Sequence, residues 1–219
     1  MPTYFFSKSG EDAILYNLLY NKLHDPSYHG RYVDVGAHHP FIHSNTFFFY
    51  LNGWRGINVE PNPYMHDLLE KKRKGDINVN VAIDEENGKG SFFIYSRDSS
   101  ANSLSESFVG KKASEKIEVS IWTLTKLFET HWEELGHVDL LSVDAEGKDL
   151  AVLMSNDWNR FRPTYIVVEA HLKYIEDLES IGKDLYQFLK LQNYAMVAKT
   201  CLIGKTSNLI FEDRLAQNS

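Results

Sequence analysis

Apolar positions recur along the chain with two periods, and the switches between them predict helices alternating with strands. In residues 10–24, Ile14, Leu15, Leu18, Leu19 and Leu23 fall at helical spacing, with Ser9 and Asp12 set as an N-terminal capping pair. Residues 32–35 read as a short strand stopped by Gly36. A compact aromatic helix over 45–52 carries Phe47, Phe48, Phe49, Tyr50 and Leu51, and residues 56–60 form a second strand. Asn62 then caps a helix with Pro63 at its first position, where the missing N–H costs nothing. Lys71, Lys72, Arg73 and Lys74 end that helix as a solvated C-terminus. Alternation of Ile77, Val79, Val81 and Ile83 predicts a third strand over 77–83. Two less regular strands, near 91–95 and 116–121, flank a polar segment, and Thr123 caps a helix bearing Leu124, Leu127 and Phe128. Residues 138–143 are apolar apart from Asp139 and Ser142, as in a strand covered on both faces. A helix over 148–155, a strand over 165–169, a helix over 181–191 and strands near 194–200 and 207–212 follow.

Strands separated by helices predict right-handed crossovers and an α/β fold with a mostly parallel, doubly wound sheet. A short connection bearing Gly204 predicts that the last two strands make an antiparallel hairpin at the C-terminal edge. The 219 residues contain no internal repeat and predict a single domain, with 1–30 as an N-terminal helical segment and 96–114 as a candidate lid loop. A net charge of -7 argues against nucleic acid or anionic membrane as a partner. One cysteine, Cys201, excludes an internal disulfide framework and a cysteine-rich zinc site. No secretion signal begins the sequence and no apolar run nears the ~20 residues of a membrane span, so a cytoplasmic location is expected.

In a doubly wound sheet a ligand lies beyond the carboxyl ends of the strands, where the strand order reverses. Gly36 lets an adenosine or amino-acid group approach the backbone, or simply ends its strand. Ala37, His38, His39 and Pro40 follow it without the G-x-G-x-x-G fingerprint, which argues against NAD or FAD. Glu60, ending the second strand, can accept both ribose hydroxyls of an adenosine; it can equally cap the next helix. Asp144 and Glu146 place two carboxylates beside a cleft, where burial and like charge raise a pKa toward a proton acceptor's range. A helix N-terminus attracts such acids on its own account as well. His171 lies just past the next strand and is suited to proton transfer near neutral pH. Ser44, Asn45 and Thr46 open the aromatic helix, where free N–H groups attract a carboxylate or merely take caps, and Lys8 can pair with the same anion. No metal is assigned: Pro40 breaks any helix that would align His39 with His43, and Mg²⁺ on Asp144 is the weaker alternative. The absence of a G-x-S-x-G elbow argues against a serine hydrolase.

These strand ends belong to a longer pattern. Ser7-Lys8-Ser9-Gly10-Glu11-Asp12, Val33-Asp34-Val35-Gly36-Ala37, Ser44-Asn45-Thr46, the block from Gly53 to Pro63, and Asp144-Ala145-Glu146-Gly147-Lys148-Asp149-Leu150 together resemble the FkbM family. The resemblance runs from residue 7 to about 171, and the block from Gly53 to Pro63 is its most specific piece. It implies a Rossmann-like class I methyltransferase fold and S-adenosylmethionine as cofactor, with methyl transfer to a hydroxyl of a sugar or other small molecule. Gly36 and Glu60 are the implied binding positions, and Asp34, Ala37, Asn80, Ala82 and Asp144 are expected to join them. In the expected reaction Asp144 or His171 takes the acceptor's proton while Glu146 orients the acceptor. The chain departs from the family where Lys8 replaces the usual Gln and Ala145 the usual Val. A non-catalytic adenosyl-ligand binder and a nucleotide-sugar enzyme on the same fold class are the alternatives, the second disfavoured by the missing diphosphate loop.

Overall fold

The computed structural model describes residues 3–105, 113–170, 183–200 and 207–215. Helices α1 (Glu11–Leu18) and α2 (Tyr20–Leu23) lead to strand β1 (Arg31–Val35), and α3 (Phe47–Leu51) connects it to β2 (Arg55–Val59). Next come α4 (Pro63–Lys72), β3 (Ile77–Val79), β4 (Ala82–Ile83), β5 (Gly88–Ile94) and β6 (Glu115–Trp122). The chain continues through α5 (Leu124–Leu135), β7 (Leu140–Val143), α6 (Asp149–Met154), β8 (Tyr165–Ala170), α7 (Lys183–Leu191), β9 (Tyr194–Lys199) and β10 (Ser207–Asp213). Among the described residues, a seven-stranded sheet has the order β3-β2-β1-β7-β8-β10-β9. Every pairing from β3 to β8 is parallel, and β10 runs antiparallel to both its neighbours. The expected hairpin is therefore present, with its second strand tucked inside the edge. None of the helices among these residues is long and apolar enough to cross a membrane.

Strand alternation divides the apolar side chains between two cores. Val33, Val35, Leu141, Val143 and Val168 pack on one face with Leu127 and Phe128 of α5 and Val152 of α6. Tyr32, Leu140 and Val167 face the other way, onto Leu15 of α1 and Phe48 and Phe49 of α3. The caps at Asn62 and Thr123 form as the sequence predicts: their side chains accept from Tyr64 N and Lys126 N, each at 3.1 Å.

Three expectations change. The strand predicted over 77–83 is two: β3 stays in the large sheet, whereas β4 joins β5 and β6 in a second, three-stranded sheet. The alternation survives because Val81 and Ile83 pack into the main core while Ala82 packs against Phe92, Ile94 and Val119. The first helix breaks at Leu19 and is entered through Gly10 at φ 85° with no side-chain cap from Ser9. Finally, Arg73 is buried among exposed lysines. Its Nε donates to Asp76 (2.8 Å), its Nη1 to the Pro40 carbonyl (2.9 Å), and its Nη2 to the Tyr32 hydroxyl (2.7 Å) and Thr46 Oγ1 (3.1 Å).

That node ties α4 to β1 and to the loop entering α3. Arg73→Met leaves the Asp76 carboxylate buried without its counter-charge, a loss on the order of 3–5 kcal/mol. Urea unfolding is expected to show it, with Lys72→Met, at an exposed position, within about 0.5 kcal/mol of wild type.

Candidate functional site

From β1 the chain steps outward to β2 and β3, then returns to β7 on β1's other side, so the strand order reverses between β1 and β7. Gly36 sits at that point with φ 76°, and a Cβ there would lie 1.9 Å from the Asp144 carbonyl oxygen. The backbone of β7's loop, more than any ligand, is what demands glycine. Gly36 N and Ala37 N both donate to the Val59 carbonyl (3.0 and 3.1 Å), and Asp144 N donates to that of Val35 (3.0 Å). Three strand ends are thereby locked together.

Two adjoining hollows open above them. The first, enclosing about 630 Å³ of empty space open to solvent, has apolar walls from Val59, Val81, Ala82, Ile83, Phe92 and Leu104, with Glu60 at its edge. The second is polar and includes Lys8, Asp34, Ala37, Ser44, Asn45 and Glu169. Gly36, His38, Ser100, Asp144 and Glu146 border both. Ser99, Ser100, Asn102, Ser103 and Leu104 form part of the wall, so the described part of the 96–114 segment lies over the hollow. It is held at three strand-end loops: His38 Nε2 lies 3.1 Å from the Asp98 carbonyl, Asn62 Nδ2 donates to that of Arg97 (2.9 Å), and Ser103 Oγ to that of Glu146 (3.1 Å).

Glu60 takes up the backbone donors foreseen for it. Its Oε1 accepts from Asn62 N (2.8 Å) and its Oε2 from His38 N (2.7 Å), yet the group borders the first hollow. Burial pushes its pKa up to about 7 despite those bonds. Other expected residues divide. Asp34, Gly36, Ala37, Ser44, Asn45, Ala82, Lys8, Asp144 and Glu146 border one hollow or both. Thr46 borders neither: it is fully buried, its hydroxyl donating to Asp34 (2.7 Å) and accepting from Arg73. Asn80 is exposed and spends its amide on the Glu60 carbonyl (2.7 Å), fixing the turn after β2. Ser44 caps α3 by accepting from Phe47 N (3.1 Å), which takes up a donor expected to attract an anion. His171 lies outside the described residues.

Sequence reasoning passed over Glu169 in favour of its neighbour His171, and named Asp149 only within the family resemblance, with no role of its own. Carboxylate oxygens of Asp144, Glu146 and Glu169 all lie within 4.8 Å of one another. Burial first, then Asp149's charge, holds Asp144 above the ordinary carboxylate range; burial, then Asp144 and Glu169, does the same for Glu146. Lys8 opposes both shifts. Asp144 Oδ1 is buried without a hydrogen-bond partner among the described residues. Negative charge is crowded here beyond what the lysine offsets, so the arrangement suits a positively charged centre, a metal cation or an organic one.

Strand order, switch point and paired hollows define a Rossmann-like fold of the class I methyltransferase type. The methyltransferase FkbM domain matches residues 34–196, and the chain belongs to this family of S-adenosylmethionine-dependent methyltransferases. By that membership it carries a methyltransferase domain. Among solved structures it is similar to the METTL16 MTase domain (crystal form 2), with 13% identity and a TM-score of 0.53 over 91% of this chain and 66% of that one. A second METTL16 MTase domain structure gives 14% identity and a TM-score of 0.50, over 92% of this chain and 65% of that one. A TehB-like SAM-dependent methyltransferase from Corynebacterium glutamicum ATCC 13032 gives 10% identity and a TM-score of 0.47, covering 95% and 89%. The chain thus spans just under two thirds of the METTL16 domains' length, and these likenesses are of fold. No curated protein matches the sequence.

The crowded acids set a pH dependence of stability. Burial pushes the Asp149 carboxyl up to about 7 from 3.8, so the native state keeps a proton that the unfolded chain has released. That contribution is fully present below the unfolded pKa and is lost as pH rises through the native one. Asp149→Asn is therefore expected to lose less melting temperature than wild type between about pH 5 and about pH 8 in the cofactor-free protein. A scan of thermal unfolding against pH measures the difference.

Proposed function

We propose that the protein transfers the methyl group of S-adenosylmethionine to a hydroxyl of a small molecule or glycan, with Asp144 as the base. One observation carries the reading: Asp144 borders both hollows, and its buried Oδ1 has no hydrogen-bond partner among the described residues. The residues present suit the cofactor. The apolar walls of the first hollow take an adenine face, and Glu60 has lone pairs left for ribose hydroxyls. Gly36, Ala37 and Ala82 leave room beside them, while Asp34, Ser44, Asn45 and Lys8 surround the polar amino-acid end. When bound, the cofactor supplies an electrophilic methyl group on positively charged sulfur.

What the chain's own residues contribute is position and proton transfer. Raised above the usual carboxylate range, Asp144 can take a hydroxyl proton near neutral pH. Glu146, raised likewise, can hold a proton and donate it to the acceptor's oxygen, orienting it. His171 is the alternative base. Segment 96–105 excludes water and brings serine and asparagine side chains toward an acceptor's hydroxyls. Net charge of -7 supports a small or glycan acceptor over a nucleic acid or a membrane surface, and the single cysteine supports a reducing, cytoplasmic setting.

Screening glycans and small alcohols for release of S-adenosylhomocysteine identifies the acceptor. With it, Asp144→Asn is expected to cut turnover by about 10²–10⁴-fold at saturating cofactor, with cofactor still bound. The wild-type rate is expected to rise with pH through the neutral range, above the ordinary carboxylate value of about 4. Unchanged turnover in this variant removes Asp144 from the base's role. By calorimetry, Glu60→Gln is expected to weaken S-adenosylmethionine and S-adenosylhomocysteine alike, by about ten- to a hundredfold. Undiminished affinity removes the ribose assignment.

A further inference from the structure

Lys8 reaches the second hollow from a loop, and it is the only lysine or arginine among that hollow's described residues. Two acids that the reaction does not use hold the loop. Glu11 and Asp12 begin α1, yet both side chains are fully buried. Asp12 accepts from Phe6 N (2.5 Å), Ser7 N (3.1 Å) and Ser7 Oγ (2.6 Å). Ser7 Oγ in turn accepts from Gly10 N (3.1 Å), closing the loop across Lys8. Glu11 Oε2 accepts from Ser9 N (2.9 Å), so the residues on both sides of Lys8 are tied to a carboxylate.

The loop is also fastened at its rim. Glu11 Oε1 accepts from Thr200 Oγ1 (2.6 Å) and Asn208 Nδ2 (2.9 Å), far along the chain. Asn208 borders the second hollow and stands opposite Glu169 in the β8–β10 ladder. On the other side Ser7 bridges to His43, which borders the same hollow. Burying two carboxylates is costly unless their hydrogen bonds are well made. Here those bonds go largely to the segment carrying Lys8 and to the hollow's own wall.

We propose that Glu11 and Asp12 are positioning residues that hold Lys8 over the second hollow, where its ammonium receives the carboxylate of the cofactor's amino-acid part. This rests on the cofactor placement given above. The acids around it, Asp34, Asp144, Glu146 and Glu169, offer a carboxylate no counter-charge, and that leaves the Lys8 rim as its place.

Calorimetric titration tests it with two ligands, S-adenosylhomocysteine and 5′-methylthioadenosine, the second having the adenosine and thioether without the amino-acid part. Lys8→Ala is expected to weaken S-adenosylhomocysteine by about three- to tenfold and to leave methylthioadenosine unchanged. Asp12→Ala is expected to give the same selective loss, with no further loss in the Lys8→Ala/Asp12→Ala double variant. If Asp12→Ala does not fold, Ser7→Ala breaks the same link and carries the same expectation. Equal weakening of both ligands by Asp12→Ala or Ser7→Ala would mean a purely structural role and overturn the proposal. So would unchanged S-adenosylhomocysteine affinity in Lys8→Ala. Wild-type protein that bound neither ligand would overturn the cofactor placement itself.

Discussion

Backbone contact between Gly36 and Asp144 sets the geometry of everything above the sheet. A side chain at residue 36 would collide with the Asp144 carbonyl oxygen at 1.9 Å. Without one, the loops after β1 and β7 touch, and the Val59 carbonyl at the end of β2 is drawn in by two N–H donors. Carboxylates that are distant in sequence, Asp34, Glu60 and Asp144, are brought around one opening. The sheet's reversal of direction provides the crevice, and the missing side chain makes it narrow.

Crowding those acids has an electrostatic cost that the protein leaves only partly offset. Arg73 and Thr46 balance Asp34 from beneath, and Lys8 acts on Asp144 and Glu146 from the rim. Backbone strain gathers at the same place. Among the described residues, four besides glycine have positive φ, and three of them, His38, His43 and Glu146, border the hollows. Such conformations cost about 1–3 kcal/mol each and persist where surrounding structure over-determines them, commonly at sites that bind or react. A positively charged sulfur entering this space would meet charge already arranged for it.

Much of the architecture was legible because its signals are local. Short runs of strand-forming residues marked β1, β2, β7 and β8, and side-chain caps marked α4 and α5, since each depends on neighbours within a few residues. The exchange between sheets at Asn80 was not legible: Val81 and Ile83 alternate with Ala82 just as they would in one continuous strand, and only the partner on each face differs. Arg73 read as one more charge in a lysine run because its partners, Tyr32, Pro40 and Thr46, are far away in sequence. The site followed the same rule. Strand-end position singled out Gly36, Glu60 and Asp144, whereas Thr46 and Asn80 turned out to serve buried or exposed polar networks. The tasks of Glu11 and Asp12 depend on loop closure and on a contact with the C-terminal hairpin, neither of which spacing can report.

A crystal structure of the protein with S-adenosylhomocysteine bound tests the central claim most directly. The account predicts an adenine against Val81, Ile83 and Phe92, ribose hydroxyls on the Glu60 carboxylate, and the sulfur beside Asp144 where the two hollows meet. A ligand lying elsewhere on the sheet, or seated there with its ribose turned away from Glu60, would contradict it.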